Sequence, residues 1–287
     1  MPGAPASTGS PLPPALERAG SAAARRALWR AAKGTFAVAD LALGEWPGPR
    51  LVIYHRVTSG LGREMELPFE FFRRQLDWLL EHGEIVDLES ALERRHRPES
   101  RRCYVLTFDD GYEDLHRLAF PLLRQRRVPF VLYLTTEPVT SGRHLGQGGE
   151  PVSWDQVREM LESGLMTLGA HTHLHQDLRG REAGEVAADL DQSNELIERH
   201  TGVRPLHFAY PKGYWDPVAE VEVRKRYQTA VLGAGRPITA ISDLHRLHRL
   251  PVQRSDELFF FRRKMVGGMR LEERVRSSLK GYRHPPR

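Results

Sequence analysis

Tyr104-Val105-Leu106-Thr107-Phe108-Asp109-Asp110-Gly111 is the stretch around which the remainder of the chain is read. Tyr104 to Phe108 is short, apolar and rich in β-forming residues, which predicts a strand buried on both faces. It stops in two carboxylates and a glycine. Adjacent aspartates at a strand end repel one another unless a cation or a shared proton lies between them. Gly111 supplies the backbone freedom to leave the strand at once. A solvated turn explains an isolated Asp-Gly equally well. The balance moves with a second stretch, His171-Thr172-His173-Leu174-His175, which likewise closes an apolar run over 165–170.

The same pattern recurs on both sides. Leu51-Val52-Ile53-Tyr54 ends in His55-Arg56, and Leu206-His207-Phe208-Ala209-Tyr210 stops at Pro211-Lys212-Gly213. Further strands are expected over 85–86, 130–134, 229–232 and 247–252. Apolar residues at helical spacing predict helices over 68–82, 88–95, 112–126, 154–163, 181–200 and 216–226, with Asp87 and Ser153 as caps. Ser255 is expected to cap a last helix through Met265, and the Gly-rich segment 136–151 reads as a loop beside the site. Strand–helix alternation argues for a parallel α/β architecture, either a barrel or an open sheet. In both, the carboxyl ends of the strands form one face. His55, the two aspartates, the two histidines and 210–213 are therefore expected to converge.

Two histidines four residues apart share one side of a helical turn. One carboxylate joining two imidazoles leaves an open metal position for water, and the second carboxylate is then available to take that water's proton. Surface histidines are the usual explanation of such a pair alone. Together with paired aspartates, metal binding is the better reading.

Composition bounds the remaining classes. The 287 residues suffice for one large domain or two small ones, and 40% hydrophobic with 28% charged residues is ordinary for a globular protein. The single cysteine, Cys103, has no internal disulfide partner and reads as a buried thiol. A formal charge of +5 raises nucleic acid as a partner, but no zinc-finger or RNA-recognition spacing accompanies it. Residues 1–47 read as an extension, disordered and then a basic helix over 15–33 that can pack on its own domain or rest on a membrane surface. No signal peptide or membrane span is recognised, so a cytoplasmic protein, peripheral at the membrane at most, is expected.

TFDDG, HTHLH and FAYPKG, in this order and spacing, resemble the NodB-type polysaccharide deacetylases. The likeness covers residues 48–270, leaving 271–287 as a basic tail, and implies a distorted (β/α) barrel. By resemblance Asp109 is the general base, and Asp110, His171 and His175 hold a divalent ion, Zn²⁺. Thr172 occupies the small hydroxyl position between the family's histidines. The entry Val52-Ile53-Tyr54-His55-Arg56-Val57 is similar to the branch containing poly-N-acetylglucosamine deacetylases. His55, Tyr210 and Pro211 are expected to contact substrate, and the Lys212 N–H to hold the oxyanion.

Two departures stand out. Ala209 replaces the arginine that orients the catalytic aspartate in the family's RxPY pattern, so support for Asp109 is expected from His55 or Arg249. The aspartate-tryptophan motif is not recognisable, and of the two leucine-histidine pairs, 244–245 and 247–248, His248 is the expected general acid, beside the last strand. The implied reaction is metal-assisted removal of an N-acetyl group from an amino-sugar glycan. The alternatives are hydrolysis of a small non-carbohydrate amide and carbohydrate binding without turnover.

Overall fold

The computed structural model describes residues 45, 47–58, 63–97, 101–146, 148–233, 235–268 and 270. The expected basic helix, the membrane contact built on it and the tail 271–287 lie outside these residues. Among the described residues no helix is long and apolar enough to cross a membrane.

The chain begins β1 (Arg50–Tyr54), β2 (Arg56–Val57), β3 (Glu66–Leu67), α1 (Phe69–His82), β4 (Glu84–Ile85), α2 (Leu88–Arg94) and β5 (Cys103–Asp110). A π-helical turn, Leu115–Ala119, leads into α3 (Phe120–Gln125), then β6 (Phe130–Leu134), α4 (Thr136–Ser141), α5 (Trp154–Glu162) and β7 (Met166–Ala170). The last third is α6 (Ala183–Thr201), β8 (His207–Ala209), α7 (Pro217–Arg226), β9 (Thr229–Leu232), β10 (Leu247–Pro251) and α8 (Leu258–Met265).

Seven strands close a barrel in the order β1-β10-β9-β8-β7-β6-β5, and β4 extends it beside the start of β5. Every pairing in it is parallel. Closure rests on β1, where Leu51 registers with Arg249 on one side and Val105 on the other. An open sheet would leave two edges of unpaired backbone; closure removes both. The barrel, not the open sheet, is the architecture.

Alternate side chains of each strand point to opposite faces. Leu51, Val105, Val131, Tyr133, Ala209, Val231 and Leu247 fill the interior. Val52, Leu106, Leu132, Phe208, Leu232 and Leu250 pack outward with helical residues such as Phe72, Leu76, Leu190 and Phe261. Burial on both faces explains why the strands read as continuous apolar runs. Gly83, which ends α1, permits close approach: a Cβ there would stand 2.4 Å from the Tyr104 ring.

Local chemistry accounts for where the helices start. Asp87 accepts a hydrogen bond from the Ser90 N–H at 2.7 Å, and Ser153 and Gln156 form a reciprocal capping box. Three expectations need correction. The helix over 112–126 is broken by its π-helical turn, where the Phe120 N–H reaches back to the Leu115 carbonyl; Pro121 sits in the next turn and lacks an N–H. The segment 136–151 contains α4. Ser255 does not cap α8, because its hydroxyl donates instead to Glu64 Oε2 at 2.8 Å.

Candidate active site

β5 ends at Asp110 and β7 ends one residue before His171, on the carboxyl face of neighbouring strands across β6. Asp110 Oδ1 lies 3.4 Å from His171 Nε2 and 3.2 Å from His175 Nε2. One ligand atom from each of the three residues lies within 4.8 Å of the others. The two histidines do not share a helical turn, as their spacing suggested. Residues 171–175 form a loop in which Thr172 and His175 adopt φ of 69° and 52°. Asp110, at φ 73°, is also left-handed, and Gly111 follows at 94°. Such conformations in non-glycine residues cost on the order of 1 kcal/mol or more each and persist only where the surroundings hold them.

The donor set fits a cation. His171 Nδ1 donates to the Ala209 carbonyl at 2.7 Å. A carbonyl only accepts, so a neutral His171 turns the lone pair of Nε2 toward Asp110. Asp110 Oδ1 is buried without a hydrogen-bond partner. Lone pairs converge in this way only around a proton or a metal ion. Burial pushes the Asp110 carboxyl up, but His175 and His171 outweigh it and hold it well below its ordinary range. Burial holds the His175 pKa down, but the charge of Asp110 outweighs it and the net displacement is upward. The field that draws a proton onto His175 equally draws a cation.

Asp109 faces a different environment. Arg249 Nη1 and Nη2 donate to its two oxygens at 2.6 and 2.7 Å. Arg249 is fully buried and Asp109 only 4% exposed, so this is an interior fork, not a surface pair. Nη1 also donates to Thr107 Oγ1 at 3.0 Å, and that hydroxyl in turn donates a hydrogen bond to the Val52 carbonyl. The guanidinium carbon stands 5.1 Å from the centre of the Tyr133 ring. Burial raises the Asp109 pKa, yet the charge and hydrogen bonds of Arg249 prevail and the net shift is downward. Of the two expected supports, Arg249 is the one bonded to Asp109. His55 Nε2 lies 4.0 Å from Asp109 Oδ2, beyond hydrogen-bond length but inside the same site. Burial holds His55 below its ordinary pKa, with Asp110 and Asp109 opposing.

Lys212 is exposed at φ 60° in the turn Pro211–Gly213, on the same carboxyl face. Tyr210 and Pro211 are corrections: both are buried, and the Tyr210 ring packs edge-on against Phe208 at 5.2 Å. The Tyr210 side chain belongs to the core, and Pro211 is buried in the turn, so neither presents an exposed surface at the barrel mouth. His248 is also a correction. It precedes Arg249 on β10, so strand alternation turns it outward while Arg249 points in; it registers with Leu232, of the outer layer. His245 enters β10 at the amino end, away from the site, and its Nε2 bonds the Tyr227 carbonyl at 2.8 Å.

One contributor was missed. Arg56, directly after His55, bonds Asp114 through Nε at 2.9 Å and Glu66 through Nη1 at 3.0 Å, and lies over the Tyr112 ring at 4.8 Å. It ties the turn carrying His55 to the turn after the aspartates. The only sequence signal was its adjacency to His55.

Comparison with known proteins agrees with this geometry. Residues 96–230 match the sequence pattern of the family described as Polysaccharide deacetylase. YxkH of Bacillus subtilis (strain 168) is 23% identical over 206 residues, spanning 70% of each chain. The poly-beta-1,6-N-acetyl-D-glucosamine N-deacetylase of Escherichia coli (strain K12) is 27% identical over 228 residues, covering 64% of this chain. This chain spans 34% of that enzyme's length. Among solved structures, IcaB from Ammonifex degensii superposes with a TM-score of 0.68 at 26% identity, covering 77% of this chain and 98% of that one. The Streptococcus pyogenes deacetylase PplD shares the fold at 18% identity, with a TM-score of 0.65 over 77% of this chain and 99% of its own. The matched family segment holds Asp109, Asp110, His171 and His175 but neither β1 nor β10, which bring His55 and Arg249. Residues 96–230 thus carry the sequence pattern of a polysaccharide deacetylase domain, set in a barrel similar to that of IcaB.

Proposed function

We propose that the protein hydrolyses the N-acetyl group of an amino-sugar glycan of the poly-β-1,6-N-acetylglucosamine kind, using Zn²⁺. The observation that carries this reading is the presence, at one barrel mouth, of a clamped carboxylate, Asp109, beside the convergent Asp110, His171 and His175. Ligand atoms bonded at about 2.0–2.1 Å to a tetrahedral zinc stand roughly 3.4 Å apart, close to the 3.2 and 3.4 Å between Asp110 and the two imidazoles. When bound, the ion supplies Lewis acidity, polarising a carbonyl and lowering the pKa of water.

The chain's own residues do the rest. Asp109 takes the proton of the attacking water, with Arg249 holding the carboxylate in one orientation and keeping it ionised. The Lys212 N–H holds the amide oxygen as it gains charge, as the family resemblance implies, and the position of its exposed turn on the carboxyl face supports that role. His55, 4.0 Å from Asp109, delivers a proton to the departing amine; an amine is a poor leaving group without one. This role passes to His55 because His248 and His245 point elsewhere.

The test is acetate release from β-1,6-linked N-acetylglucosamine oligomers, set beside β-1,4-linked oligomers and small N-acetylated amines. Release from the β-1,6 oligomers is expected; turnover of small amides alone refutes the glycan reading. His171→Ala is expected to lose most of the bound ion and the activity with it, because two ligands hold zinc poorly. Full metal content in that variant, measured by elemental analysis, overturns the metal site. His55→Ala is expected to keep the ion and lose the alkaline limb of the pH–rate profile. Because burial depresses His55, that limb in the wild type should lie below the ordinary histidine value of about 6.5. An alkaline limb unchanged in His55→Ala removes His55 as the acid.

A further inference from the structure

The loop 171–175 holds two metal-binding histidines in a conformation that its own residues disfavour, so something else must hold the loop. On one side the start of α4 does this. The Thr136 and Glu137 N–H groups donate to the Thr172 and His173 carbonyls at 3.3 and 3.0 Å. Thr136 Oγ1 also bonds His173 Nδ1 at 2.9 Å. Within the loop, Thr172 Oγ1 accepts from the His175 N–H at 3.0 Å. On the other side stands one charged group, Asp189 of α6. Its Oδ1 accepts from the His173 N–H at 2.5 Å and its Oδ2 from the Leu174 N–H at 3.2 Å.

We propose that Asp189 is the positioning residue of the metal-binding loop, its carboxylate bridging the consecutive N–H groups of His173 and Leu174 so that His171 and His175 are aimed together at Asp110. Asp189 is not itself among the residues whose atoms converge on the candidate ion. It acts on the backbone between the two histidines. Consecutive N–H groups turned to one side form an anion-binding concavity, and a carboxylate fills it with one oxygen for each. No neutral side chain of this size can do so. Asparagine offers one acceptor oxygen and sets an amide donor against the second N–H. The charge-assisted bonds fix the middle of the loop, and hence the strained φ of Thr172 and His175 at its ends. Groups that orient metal ligands without touching the metal are commonly worth 10–100-fold in affinity.

The inference rests on the metal reading above, and the test separates the two. Wild-type protein is titrated with Co²⁺ and Zn²⁺ against a competing chelator, and the d–d absorption of the Co²⁺ form is recorded. Asp189→Asn is expected to weaken both ions by about 10–100-fold and to alter the Co²⁺ spectrum, because the imidazoles are no longer held in one arrangement. Tyr227→Phe is the control: it removes a buried bond of 2.9 Å to Asn194 on the same helix, and should lower the melting temperature while leaving affinity and spectrum unchanged. Asp189→Ser, which keeps a single acceptor, is measured alongside. Wild-type affinity and spectrum in Asp189→Asn, or in Asp189→Ser where the asparagine variant does not fold, overturn the proposal. An equal loss in Tyr227→Phe also overturns it, since the effect would then belong to α6 at large. Wild-type protein that takes up neither ion refutes the metal site itself.

Discussion

Asp109→Asn is expected to keep its metal ion while acetate release falls by about 10²–10⁴-fold, the range lost with a general base. The expectation follows from the division of labour between adjacent residues. Asp110 faces the two imidazoles, whereas both oxygens of Asp109 are taken by the Arg249 fork. Asparagine preserves the volume but not the base. It also turns an amide donor toward one arm of a guanidinium that is itself only a donor. Elemental analysis and acetate assay on the same preparation distinguish the outcomes. If the ion is lost with the activity, the roles of the two aspartates are exchanged.

Arg249→Met is expected to be costly in stability as well as in rate. It leaves Asp109 as a buried carboxylate without its counter-charge, and breaking a buried ion pair from one side typically costs about 3–5 kcal/mol. The pH dependence gives the diagnostic sign. In the wild type the folded pKa of Asp109 is depressed, so the pair's stabilisation is present above the unfolded value of about 3.9 and is lost as pH falls through the folded pKa. Without Arg249, burial is the leading influence and the folded pKa rises above the unfolded one, so the variant loses stability as pH climbs past about 3.9. The gap in melting temperature between the two proteins should therefore be wide at neutral pH and narrow in acid. The acid limb of the pH–rate profile should move upward in the variant. Combining Arg249→Met with Asp109→Asn should recover part of the stability, because the unpaired charge is gone. A gap independent of pH, or a double variant no more stable than Arg249→Met, is incompatible with the fork as the source of the effect.

The contribution of Arg249 also marks the boundary between local and distant information in this protein. The strand over 104–108, its two carboxylates and the histidines of 171–175 were legible because each signal is local. An apolar run bounded by turn residues encodes a buried strand, and acids and imidazoles at strand ends encode chemistry wherever the barrel places them. The caps at Asp87 and Ser153 were legible for the same reason, since a cap contacts a backbone N–H three residues away. The failures lie where the answer depends on register. His248 and Arg249 are neighbours in β10, and a step of one residue reverses the face a strand side chain occupies; only the pairing of β10 with β1 and β9 decides which of them enters the barrel. Tyr210 stands at the strand end expected to contact substrate, yet its ring turns into the layer beneath the helices. Ser255 had the chemistry of a cap but met Glu64 instead, a partner 191 residues away. Composition and spacing thus marked the strands, the pair of acids and the histidines of 171–175, while the choice of Asp110 as their partner came from the family resemblance. Closure between β1 and β5, the replacement of a missing arginine by one 140 residues from the aspartate it holds, and the choice among histidines were decided by tertiary structure, because side-chain direction in a closed sheet is fixed by its neighbours and not by its own sequence.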